Sequence, residues 1–135
     1  MTFEEYCVKR KQPDWEWHLV VDNNYARNLQ KIHPLQQKAT ESICEYASAH
    51  SEIKKIIIFG SSTSYLCNSY SDLDIYVEWS EPYRDSEDEW KPFVVPFMKH
   101  LKSVTNNNGY DLVFDDEVIT EMFRNSINKG VVVYE

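Results

Sequence analysis

Three aspartates and a glycine-serine step are the residues of this chain whose types and spacing could do chemistry. Asp72 and Asp74 bracket a single leucine in SDLDIYV, and Gly60-Ser61 closes the apolar run IIIF ten residues before them. On an extended strand, residues i and i+2 share a face, so the two aspartates converge while Leu73 turns the other way. Ionised carboxylates that close repel each other, and either one keeps a proton or a cation sits between them. Oxygen-only ligands select a hard cation such as Mg²⁺ or Mn²⁺, and Mg²⁺ keeps open positions that phosphate oxygens fill. Gly60 has no Cβ and lets another group approach the backbone. Ser61 adds a hydroxyl and an amide, and the first amides of a short helix after it would point at the same spot. Loop and carboxylates together hold both halves of a metal-phosphate complex. A third carboxylate completes such a site by activating a hydroxyl or ligating a second metal. Asp111, in YDLVF, is the candidate, on the condition that its strand lies beside that of Asp74. Taken singly, each feature has a plainer reading: Gly60-Ser61 as a strand-to-loop turn, Ser71-Asp72 as a cap, Asp111 as a turn residue after Asn108-Gly109. Their joint order and spacing carry the weight.

These residues need elements to position them. Ile53 to Phe59 is β-branched and continuous, which reads as a buried strand. Leu73, Ile75, Val77 and Trp79 alternate with polar neighbours, giving a second strand with one apolar face. Residues 60–71 between them are rich in Ser, Thr and Asn and have room for a short helix. Tyr110 to Phe114 forms a third strand and Val131 to Tyr134 a fourth. Pro34 suits the first turn of a helix whose stripe is Leu35, Ala39, Ile43, Tyr46 and Ala47, ending near His50. Ser86 caps a helix with Trp90, Val94, Phe97 and Leu101 inward and a kink at Pro96. Asp115 or Asp116 starts a last helix through Val118, Met122, Phe123 and Ile127, with Gly130 as its C-cap. At the front, Thr2 and Glu5 suggest a capping box, and Asp14 a second helix through Trp17, Val21, Tyr25, Leu29 and Ile32. The expected architecture is α/β (α+β): a small mixed sheet flanked by helices, with a helical extension over residues 1–33 and the main domain over 34–135, forming one compact unit.

The bulk numbers narrow the function. A chain of 135 residues with 42% apolar and 14% aromatic residues forms one globular domain with a real core. Three scattered cysteines offer no disulfide framework and no zinc spacing. The net charge of −8 and the lack of a basic stripe argue against long nucleic acid as a partner. No apolar run approaches the roughly 20 residues that cross a bilayer, and the N-terminus lacks the apolar stretch of a signal peptide. The expected setting is cytoplasmic, without a membrane.

Gly60-Ser61, ten further residues, Asp72-x-Asp74 and a later strand bearing Asp111 resemble the signature of the DNA polymerase β-like nucleotidyltransferases. The short length and the ending EMFRNSINKGVVVYE are similar to minimal nucleotidyltransferases, several of which are antitoxins paired with HEPN-domain toxins. The resemblance spans roughly residues 35–135. It implies the nucleotidyltransferase fold and transfer of a nucleotide from ATP or another nucleoside triphosphate to a hydroxyl. It assigns phosphate binding to Gly60, Ser61 and Ser62, and two Mg²⁺ ions (or Mn²⁺) to Asp72, Asp74 and Asp111, which are also the catalytic residues. A HEPN-type protein is the implied partner. One departure is visible: many members follow Gly-Ser with a small residue, Arg and Gly, and here the last two places hold Ser64 and Tyr65. Two other functions compete. One is a non-catalytic interaction module with a vestigial nucleotide site, its acidic surface suited to a basic partner. The other is an antibiotic nucleotidyltransferase, for which the chain lacks the usual added helical domain.

Overall fold

The computed structural model describes residues 16–80, 87–105, 109–114 and 121–135, with the backbone alone at 87–92, 114 and 121–123. The expected short helix near Thr2, the caps at Ser86 and at Asp115 or Asp116, and the inward positions Trp90, Val118, Met122 and Phe123 lie outside the described residues or side chains.

Four strands form one sheet: β1 (Ile53–Phe59), β2 (Leu73–Trp79), β3 (Tyr110–Phe114) and β4 (Val131–Tyr134), in the order β3-β2-β1-β4. Each agrees with the expected segment. β1 runs antiparallel to both β2 and β4, while β2 and β3 are parallel. A parallel pair cannot be closed by a tight turn, and helix α2 (Glu87–Val104) makes the crossover, running through Pro96 as one element. The sheet is therefore mixed, with helices α1 (Pro34–Ser48), α2 and α3 (Glu121–Asn128) about it.

The alternation in β2 decides which face holds the main core. Leu73, Ile75, Val77 and Trp79 are buried, and between them Asp74, Tyr76 and Glu78 are half-buried. The buried set joins Ile56 and Ile58 of β1, Ile43 and Ala47 of α1, and Phe97 and Leu101 of α2 in one cluster. On the opposite face Ile57 and Phe59 meet Ile127 of α3, with Tyr76, Val113 and Val132 around them. The stripe expected for α1 is rotated at its start: Leu35 is exposed, and Gln36, Gln37 and Thr40 are buried instead. Gly130 does not adopt the left-handed conformation of an αL cap. It is small because a Cβ there would come within 2.6 Å of Ile57 Cγ2 and 2.8 Å of the Ile58 carbonyl.

The helix expected through Trp17 and Ile32 is not formed. Residues 16–33 are an irregular strap containing one 3-10 turn, Leu29–Lys31. Its backbone groups are satisfied from a distance. The Glu41 carboxylate accepts the amides of Asn24, Tyr25 and Ala26. Gln37 accepts from the Val20 amide and donates to the His18 and Ile32 carbonyls. The Arg27 amide and the Asn28 side chain donate to Val133 and Val132 of β4. Leu29 and Ile32 of the expected stripe nevertheless sink into the main core, joined by Ala26, whereas Tyr25 is exposed and Trp17 and Val21 are half-buried, so the apolar spacing marked burial only in part and helicity wrongly. Among the described residues, no helix is long and apolar enough to cross a membrane.

Candidate active site

β1 ends at Phe59, and the backbone turns at Gly60 with φ of 73°, a conformation that costs any residue with a Cβ. A second constraint acts at the same atom. A Cβ on Gly60 would overlap Oδ2 of Asp74, whose carboxylate lies against the glycine. The register explains why: Phe59 faces Asp74 across the antiparallel pair. The close approach that a glycine at the end of β1 suggests is thus made by the aspartate itself.

The parallel pairing then sets Asp74 opposite Asp111, and the condition on the third strand is met. Burial first, then hydrogen bonding to Asp111 and the charges of Asp111 and Asp72, push the Asp74 carboxyl up to about 7. Asp74 is half-buried, whereas Asp72 and Asp111 are exposed. Asp72 sits just ahead of β2 and acts on Asp74 through its charge. Among the described residues, no three His, Cys, Asp or Glu side chains converge closely enough to cage a metal ion. The arrangement is a facing pair with a third carboxylate nearby. Its donor chemistry fits a hard divalent cation, which would offset the burial and the neighbouring negative charge that hold a proton on Asp74.

The other half of the site is the loop. Gly60–Thr63 forms a 3-10 turn. The hydroxyl residues brace it from within: Thr63 Oγ1 donates to the Gly60 carbonyl, Ser64 Oγ to that of Ser61, and the Leu66 amide donates to Ser64 Oγ. Farther along, the Asn68 amide donates to Ser71 Oγ, and the Tyr70 amide to Asn68 Oδ1. The richness in Ser and Asn is in large part loop architecture. Gly60 and Ser61 are partly accessible, but Ser62 is fully buried. Among the described residues its hydroxyl has no hydrogen-bond partner, and its carbonyl accepts the His33 amide at 2.8 Å.

Sequence reasoning missed the residues that grip this loop. Trp17 lies 5.5 Å from the His33 ring and meets Tyr65 edge-on at 5.7 Å. The Gln36 side chain donates to the Ser71 carbonyl at 3.2 Å. The aromatic density near Trp17 was the one signal available, and it reads equally as a core stripe.

Residues 41–135 match the family model described as "Polymerase beta, Nucleotidyltransferase". No curated protein sequence matches the chain. The match takes in all four strands, the loop and the three aspartates, so this chain belongs to the polymerase beta nucleotidyltransferase family.

Proposed function

We propose that this nucleotidyltransferase moves a nucleoside monophosphate, from ATP or another nucleoside triphosphate, onto a hydroxyl of a protein or small-molecule acceptor. The observation that carries this reading is Asp74, which faces Asp111 across the parallel pair and lies against Gly60 at the start of the loop. In this reading the amides and hydroxyl of Gly60 and Ser61 take the phosphates. Asp72, Asp74 and Asp111 would hold two Mg²⁺ ions, which when bound supply charge neutralisation to the phosphates. Asp111, on the exposed edge strand, accepts the proton of the acceptor hydroxyl. The hydroxyl oxygen bonds to the α-phosphorus, the bond to the bridging oxygen breaks, and pyrophosphate leaves. The resemblance to minimal nucleotidyltransferases makes a HEPN-type toxin the most concrete acceptor, with the chain as its antitoxin. A non-catalytic module is favoured by one observation only, that the described carboxylates do not form a tight cage of three.

A thermal-shift panel of ATP, GTP, CTP and UTP, with and without Mg²⁺, tests the proposal on the native chain and on Asp74→Ala. Ligand at a hundred times its dissociation constant stabilises by about 2.7 kcal/mol. The expected result is a Mg²⁺-dependent shift for at least one nucleotide, lost in the variant. No shift with any nucleotide would sink the enzymatic reading.

A further inference from the structure

We infer that the strap of residues 16–33, all of it outside the family-matched segment, sets the shape of the phosphate loop, with His33 and Trp17 as its positioning residues. The inference rests on the proposed function and adds a requirement to it. The His33 amide holds the Ser62 carbonyl at 2.8 Å. Ser62 stays fully buried although its hydroxyl finds no partner among the described residues, a position that polar groups resist. Something must hold the loop inward there, and the His33 amide makes one such bond to it. The Trp17 ring packs on both His33 and Tyr65 and so ties the strap's start to the loop's far end. The Trp17 amide closes the strap on itself through the Gln30 carbonyl.

The strap has a second, independent anchorage. Glu41 holds its middle by three amides, and Arg27 and Asn28 tie it to β4. Loss of the loop contacts therefore leaves the strap attached, and positioning can be separated from folding. The backbone at His33 makes the separation clean. Its φ of −54° and ψ of 138° are values that proline adopts and that a following proline, Pro34, requires. Ile32 before it is extended as well. His33→Pro deletes the amide donor without strain, while His33→Ala keeps it. Both lose the imidazole, whose Nδ1 accepts the Leu35 amide.

The experiment measures Mg²⁺-ATP affinity by calorimetry on the full chain, with melting temperature and amide exchange at Ser61 to Ser64. His33→Pro is expected to bind about five- to tenfold more weakly than His33→Ala, with similar melting temperatures and faster exchange confined to the loop. Trp17→Leu should behave like His33→Pro, and Trp17→Phe should recover most of the affinity. Equal affinity in His33→Pro and His33→Ala overturns the inference while leaving the proposed function standing. So does a loss of protection spread across the whole sheet, which would make these residues merely structural. If the native chain binds no nucleotide, the proposed function and the inference fall together. Should Trp17→Leu not fold, the two His33 variants decide alone.

Discussion

The two faces of the sheet are built to different standards. One carries Ile56, Ile58, Leu73, Ile75, Val77 and Trp79 under α1 and α2, with most of these side chains wholly removed from water. The other carries a small cluster, Ile57, Phe59 and Ile127, and its strand positions lead to Asp74 and Asp111. Along β2 a step of one residue separates them: Ile75 belongs to the first face and Asp74 to the second. The first face supplies cohesion. The second sacrifices some cohesion, because its carboxylates repel each other, and in the proposed function gains a place for a cation and phosphates.

Changes at single residues sharpen or break that contrast. The largest effect is expected at Asp74. Asp74→Asn should reduce nucleotide transfer to background, measured by release of pyrophosphate from the triphosphate that binds. The same change should improve the cation-free protein at neutral pH. The folded chain holds the Asp74 proton up to about pH 7, against 3.8 for the ordinary side chain. Between those values the folded state binds more protons than the unfolded one, so stability present below the lower value is lost as pH rises through the upper. Urea melts of the native chain in chelator should weaken from pH 4 to pH 8, and Asp74→Asn should lack that decline. A flat native profile would mean that neither burial nor the neighbouring carboxylates hold a proton on Asp74 in the folded state. Ile75→Ala, one residue along, should do the reverse, costing about 2–5 kcal/mol of stability while nucleotide affinity of the folded fraction is kept.

Gly60→Ala follows in size. The positive φ costs about 1–2 kcal/mol, and Asp74 must move away from the new methyl group. Weaker nucleotide binding with only that modest loss in a denaturant melt is the expected pattern. Unchanged binding would show that Asp74 need not lie against the loop. The smallest effect is expected at Lys54→Ala. Its bridge to Glu78 spans 3.4 Å between side chains that both meet solvent, and exposed pairs contribute about 0.5 kcal/mol or less. A larger loss in the same melt would show that the edge of this face is coupled to its core.

The strands were legible because their apolar pattern and their burial obey the same period. Ile53 to Phe59 and the alternation from Leu73 to Trp79 admit few other foldings, and the aspartates were legible because they interrupt that order. The strap was not. Its apolar residues recur at helical intervals, yet its amides are satisfied by Glu41, Gln37 and β4, partners that no local window contains. The burial of Ser62 and the reason for Gly130 were hidden in the same way, since each depends on a neighbour distant in the chain. The Asp74–Asp111 pairing stood between these cases: the residue types were readable, and the adjacency of their strands came only with the topology.

That adjacency has a consequence in time. Asp74 and Asp111 lie on parallel strands with α2 between them in the chain. As the polypeptide emerges during synthesis, β1, Gly60, Asp72 and Asp74 are made well before β3. A hairpin of β1 and β2 can close early at small entropic cost, whereas the parallel partner must wait for the whole crossover. The acidic pair is thus among the later contacts the nascent domain can make, and in the proposed function the chain acquires its chemistry only when its topology is nearly complete.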